Sequence, residues 1–105
     1  MLLQMSRRTE YELLIEINGR KLTCIVIDQH YSIKHAESIN DELILDLVKS
    51  IHGEVFDIDS EKGQFQYFVA EPVMNQTRPY RLIMLMCICD DYLGVINAFR
   101  VDRKE

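Results

Sequence analysis

Between residues 9 and 17 the side chains alternate: Tyr11, Leu13, Ile15 and Ile17 are apolar, whereas Glu10, Glu12 and Glu16 are charged. A period of two belongs to a strand with one buried and one wet face. Asn18-Gly19 follows directly, and both residues tolerate the positive φ of a type I′ turn. Folding about that turn sets Ile15 opposite Leu22, Leu13 opposite Cys24 and Tyr11 opposite Val26, with Glu16 meeting Lys21 on the wet face. Apolar pairs with apolar and charge with opposite charge, so the register agrees with itself.

The next stretch, 28–38, is polar and holds His30 and His35; it reads as a loop into a helix. Ser38 or Asn40 can cap that helix, and Asp41 and Glu42 sit near the positive end of its dipole. Leu43, Ile44, Leu47, Val48 and Ile51 make one apolar stripe at helical spacing, and Gly53 suits a C′ stop. The period then returns to two. Strands are expected at 55–58 and 65–71, with a turn at 60–63 between them and a polar connection at 72–79. Residues 80–89 are apolar on both faces, which predicts a central strand covered on both sides. Asp90-Asp91 turns the chain into a last strand over 92–101. The fold class is α+β, one main helix on a mostly antiparallel sheet of about six strands, in the order β-β-α-β-β-β-β.

At 105 residues the chain has room for one core, so 1–105 is expected to be a single domain, with 1–8 loosely attached. Its 48% hydrophobic and 28% charged residues are the balance of a folded rather than a disordered chain. The longest apolar run, 82–89, falls far short of the roughly 20 residues that span a bilayer, and the N-terminal segment lacks the pattern of an export signal. A cytoplasmic location with no membrane partner is therefore expected, and the three cysteines read as reduced thiols. A net charge of −5 disfavours a surface that tracks nucleic acid throughout. Any phosphate site must rest on particular residues.

The sharpest such feature lies in the last hairpin. A loop centred on Asp90-Asp91 would pair Met86 with Val95, Ile83 with Ala98, and Arg81 with Arg100. Two facing guanidiniums repel, so an anion should lie beside them. A phosphate would suit arginine forks; a carboxylate such as Glu71 or Glu37 filling the role internally is the slightly favoured alternative. His30 and His35, with Lys34 between them, offer general acid–base chemistry and oxyanion stabilisation beside a helix N-terminus, although for either histidine alone a structural role is the commoner one. His52, near the helix C-terminus, reads as structural. Cys87-Ile88-Cys89 has the form of a metal-binding fragment, but core packing is favoured because no second pair accompanies it. Asp90 and Asp91 read as an ordinary charged turn rather than a cation site. Tyr67, Tyr80 and Tyr92 could stack on bases or simply pack. Asn97 interrupts the last strand, on the face expected to hold Leu82, Met84 and Phe99, and needs partners if buried. No glycine-rich phosphate loop, G-x-S-x-G or H-E-x-x-H is present, and no cofactor is implied.

His35-Ala36 before a helix, the Tyr80-Arg81-Leu82 strand and the final Gly94-Val95-Ile96-Asn97-Ala98-Phe99-Arg100 strand resemble the superfamily of small RelE-like, barnase-like and colicin-like endoribonucleases, which includes many toxins of toxin–antitoxin pairs. The resemblance covers residues 29–101 and is one of layout. It implies metal-independent RNA cleavage by attack of the 2′-hydroxyl, and RNA and a cognate antitoxin as partners. His35 (or His30) would be acid or base, and Arg81 and Arg100 would stabilise the transition state. Outside the positions that the resemblance matches, Lys34, Tyr67 and Asn97 are read as candidates to contact phosphate or RNA. The acidic charge and the added N-terminal hairpin depart from the pattern. Two alternatives stand beside it: a non-catalytic interaction module, dimerising or partner-binding, and a small phosphate or nucleotide binder.

Overall fold

In the computed structural model, which describes residues 8–29 and 39–101, the alternating segment forms strand β1 (Arg8–Ile17) and returns through Asn18-Gly19 as β2 (Arg20–Asp28). Both turn residues have positive φ, 54° and 76°. Helix α1 (Asp41–Ser50) comes next, then β3 (Ser60–Lys62), β4 (Phe65–Asn75), β5 (Arg78–Cys87) and β6 (Tyr92–Arg100). All six strands join one sheet in the order β1-β2-β6-β5-β4-β3, in which only the β2–β6 pair is parallel. No helix among the described residues is long and apolar enough to cross a membrane. The expected loose attachment of 1–8 lies outside the described residues except at Arg8, which opens β1.

Asn40 caps α1, its Oδ1 accepting from the Leu43 N–H at 2.8 Å. The helix buries Ile44, Leu47 and Val48 against Leu22, Ile25, Ile27, Phe68, Leu82, Met84 and Leu93. Each such side chain taken fully out of water contributes about 1.5–3 kcal/mol, so this layer holds the fold. The helix ends earlier than its apolar stripe suggests: Ile51 is the C-cap. Gly53 (φ +87°) therefore lies beyond C′, and its N–H donates to the Glu16 carbonyl at 2.7 Å.

The structure corrects several local expectations. Residues 55–58 form no strand. Asn18 holds them instead, its Oδ1 accepting from the Phe56 N–H (2.6 Å) and its Nδ2 donating to the Phe56 carbonyl (3.1 Å), while the Phe56 ring stacks on Phe68 at 5.5 Å. The strand falls where a turn was expected, because Gly63-Gln64 alone reverses the chain and pairs Lys62 with Phe65. The polar connection 72–79 is largely strand. Gln76 and Thr77, both at positive φ, make the turn, and Pro72 is tolerated in a bulge on an outer edge, because β3 pairs only with 65–67.

Three bulges reset the faces of the sheet. In β1, Leu13 and Leu14 together oppose Thr23, so Tyr11 pairs with Ile25 rather than Val26, Cys24 pairs with Glu12, and Leu14 is left 79% exposed. In β4, Glu71 and Pro72 oppose Arg81. In β6, Ile96 is the extra residue between the pairs Ile83–Asn97 and Met84–Val95. A single inserted residue moves everything beyond it to the other face. Among the described residues β5 is not covered on both sides: Leu82, Met84 and Met86 are buried under α1, whereas Arg81, Ile83 and Leu85 are only half-buried on the opposite face.

Candidate functional site

The arginine pair does not form. Arg81 pairs with Phe99, and Arg100 pairs with Tyr80, so the two guanidiniums leave the sheet on opposite faces. The loop is centred one residue earlier than expected, pairing Met86 with Leu93, which shifts the register by two and preserves the faces. The Ile96 bulge adds the single residue that inverts them. Asn97 serves that bulge: its Oδ1 accepts from the Ala98 N–H at 2.9 Å. It shares a face with Ile83, not with Leu82 and Met84. Arg81 is also occupied, its Nη1 bound to Glu71 Oε1 at 2.8 Å. The β4 bulge sets that carboxylate opposite it, so the internal-acid alternative holds at Arg81.

His30, Lys34, His35 and Glu37 lie outside the described residues. His52 Nδ1 accepts from the Glu16 N–H at 3.0 Å, a structural contact that ties the end of α1 to β1. Asp90 and Asp91 gather no third metal-ligating group among the described residues.

The face of the sheet opposite α1, left open by the described residues, holds a groove of about 760 Å³. Its floor is Val26, Leu85, Gly94 and Ile96, and Phe65, Tyr67 and Tyr92 add aromatic surface. Gly94 lets Leu85 lie across β6, since a Cβ there would come within 3.0 Å of the Leu85 side chain. Among the described residues that line it stand four carboxylates, Glu10, Asp28, Asp90 and Asp91, against one guanidinium, Arg8. The acidic end is built in place. Arg20 Nη2 donates to the Asp90 carbonyl (2.8 Å), and the Thr23 N–H donates to the Asp91 carbonyl (2.9 Å), fastening the β5–β6 turn to β2.

The groove's potential registers on its neighbours. Burial pushes the Cys24 thiol up, and the negative charges of Glu10 and Asp90 push it further. Burial likewise raises the Tyr92 phenol, with Cys87 and Asp90 adding to it and Arg8 opposing them. An anion entering here would meet the same field, whereas a cation would be drawn in. Tyr67 is thus in the candidate site, but without either arginine of the expected set among the lining residues. The sequence reading leaves Phe65, Leu85 and Gly94 out of any site; for Leu85 the signal is the second apolar face of β5, which that reading assigns to the core. Compared with known proteins, the chain matches no family model, no curated protein and no solved structure.

Proposed function

We propose that this protein is a non-catalytic interaction module that holds a basic, apolar-bearing segment of a partner protein along the open face of its sheet. The observation that carries this reading is the groove itself: an apolar and aromatic floor rimmed by four carboxylates. Lysine or arginine side chains would meet Asp90 and Asp91, and their stems and neighbouring apolar residues would cover Val26 and Leu85. Phe65, Tyr67 and Tyr92 offer ring faces to the same cations. The ribonuclease reading keeps its resemblance of layout but loses the facing arginines, and the groove's charge opposes a polyanion.

A labelled peptide alternating lysine with leucine tests the proposal against a matched glutamate–leucine peptide, read by fluorescence anisotropy. The basic peptide should bind, and Asp90→Asn with Asp91→Asn should weaken it about tenfold, while Asp57→Asn outside the groove leaves it unchanged. Equal binding of both peptides, or equal loss in the Asp57 variant, overturns the reading. RNA cleaved by the purified protein in EDTA, with the activity lost in His35→Ala, would return the ribonuclease reading to first place.

A further inference from the structure

Beside the groove, at the end of β5, two thiols meet. Cys87 closes the strand, and Cys89 follows after one residue in the turn, with the two Sγ atoms 3.4 Å apart. Gln64, in the β3–β4 turn, presents one oxygen to both: Oε1 is 2.6 Å from Cys89 Sγ and 3.6 Å from Cys87 Sγ. The same turn is fastened to the dithiol by its backbone, the Ile88 N–H donating to the Gln64 carbonyl at 2.8 Å. The two sulfurs differ in access, Cys87 being only 5% exposed and Cys89 exposed to solvent. Core packing does not account for an exposed thiol turned onto a buried one. An apolar role would leave Cys89 free to point into water, whereas here it stands in contact with its neighbour.

We infer that Cys87 and Cys89 form a redox-active dithiol that closes to an intrachain disulfide by exchange with low-molecular-weight disulfides of the glutathione class. Cys89 is the entry thiol, because only it is reachable from solvent. As thiolate it attacks one sulfur of the small disulfide, forming a mixed disulfide and releasing one small thiolate. Cys87, as thiolate, then attacks the Cys89 sulfur and releases the second. Two electrons pass from the protein dithiol to the small disulfide, and the two cysteine protons end on the two released thiols. Closing the bond asks the sulfurs to approach from 3.4 Å to about 2.05 Å. Contact with Cys87 also holds the Cys89 thiol above its ordinary range, so entry is slower than at an activated cysteine. The inference is independent of what the groove binds.

The test uses the full chain, incubated with glutathione disulfide, quenched with an alkylating reagent and digested with trypsin without reduction. Residues 82–100 form one tryptic peptide carrying both thiols, while Cys24 falls in 22–34. The expected product is peptide 82–100 lighter by two hydrogens and unalkylated, with the Cys24 peptide alkylated. Cys87→Ser should stop the reaction at a stable glutathione adduct on Cys89, and Cys89→Ser should slow consumption of glutathione disulfide at least tenfold, roughly the contrast between an accessible and a buried thiol. Wild-type protein that accumulates the glutathione adduct on Cys89, links either cysteine to Cys24, or stays fully alkylated at an excess of oxidant overturns the inference. Because the wild-type masses alone decide it, a variant that fails to fold does not blunt the test.

Discussion

The two faces of the sheet are built on different terms. Under α1, Ile25, Ile27, Leu82, Met84 and Leu93 are fully buried, and the described residues include no buried polar or charged side chain. On the far face Cys24, Val26, Tyr67 and Leu85 are half-buried, and the carboxylates of Glu10, Asp28, Asp90 and Asp91 share the same hollow. The covered face carries the energy of folding, since apolar area removed from water dominates that balance. The open face keeps apolar surface partly wet, a cost that the fold alone does not require. Its form depends on the β6 bulge and on Gly94, features that shape a surface rather than stabilise a core.

The largest effect should separate the two faces directly. Leu47→Ala empties space in the covered layer and should cost about 2–5 kcal/mol, read as a lowered urea midpoint at unchanged m. Leu85→Ala on the open face should cost under about half as much, since the side chain is already partly in water. Equal losses would mean that the open face is core and would break the comparison.

The covered face was legible and the open one was not, for a physical reason. The stripe of α1, the Asn18-Gly19 turn and the alternation of β1 each carry their signal within a few residues, and the pairs Ile15–Leu22 and Glu16–Lys21 form as the pattern demands. A bulge carries no comparable local mark. Leu13-Leu14 and Ile96-Asn97 look like ordinary strand, yet each shifts the register by one. The arginine pair was lost to one such residue. The β4 bulge was nearer the surface of the sequence, at Glu71-Pro72, but a proline in a polar stretch reads as a connection before it reads as an edge strand. The groove leaves no mark of its own in the sequence, because an apolar run such as 82–87 looks the same whether its second face is covered or merely half-wet.

Smaller effects sharpen the contrast at the seams of the covered layer. Asn18→Gly keeps the positive φ of the turn but removes two hydrogen bonds to Phe56, and should cost about 1–2 kcal/mol. Hydrogen exchange should quicken at Phe56 while the centre of β5 stays protected. Protection lost evenly across the sheet would mean that Asn18 supports the whole fold rather than residues 54–59. Tyr11→Phe should cost about 1 kcal/mol by removing the 2.6 Å hydrogen bond to Asp41, which joins β1 to the start of α1. That bond, before burial and the charge of Asp41, holds the Tyr11 phenol above its ordinary value. A raised folded-state pKa means that the stabilisation is complete below the unfolded tyrosine's pKa, near 10, and is lost as pH climbs through the folded value. Melting temperatures of wild type and Tyr11→Phe should therefore converge in the alkaline range; a gap that widens there would contradict the assignment.

The smallest effect lies on the open face, where charge rather than packing is at issue. Arg81 and Glu71 meet at 2.8 Å with side chains 39% and 33% exposed, so solvent screens most of their attraction. A double-mutant cycle with Glu71→Gln and Arg81→Gln should return a coupling of about 0.2–1 kcal/mol, falling as salt is added. The sign matters more than the size. If Glu71 is the internal partner that takes the place of an external anion, Glu71→Gln should leave Arg81 as a free cation and give the protein a weak, salt-sensitive affinity for inorganic phosphate that wild type lacks. Phosphate binding of equal strength in both would show that the carboxylate does not occupy Arg81 in solution, and would restore an anion site on the face proposed to take a cationic partner.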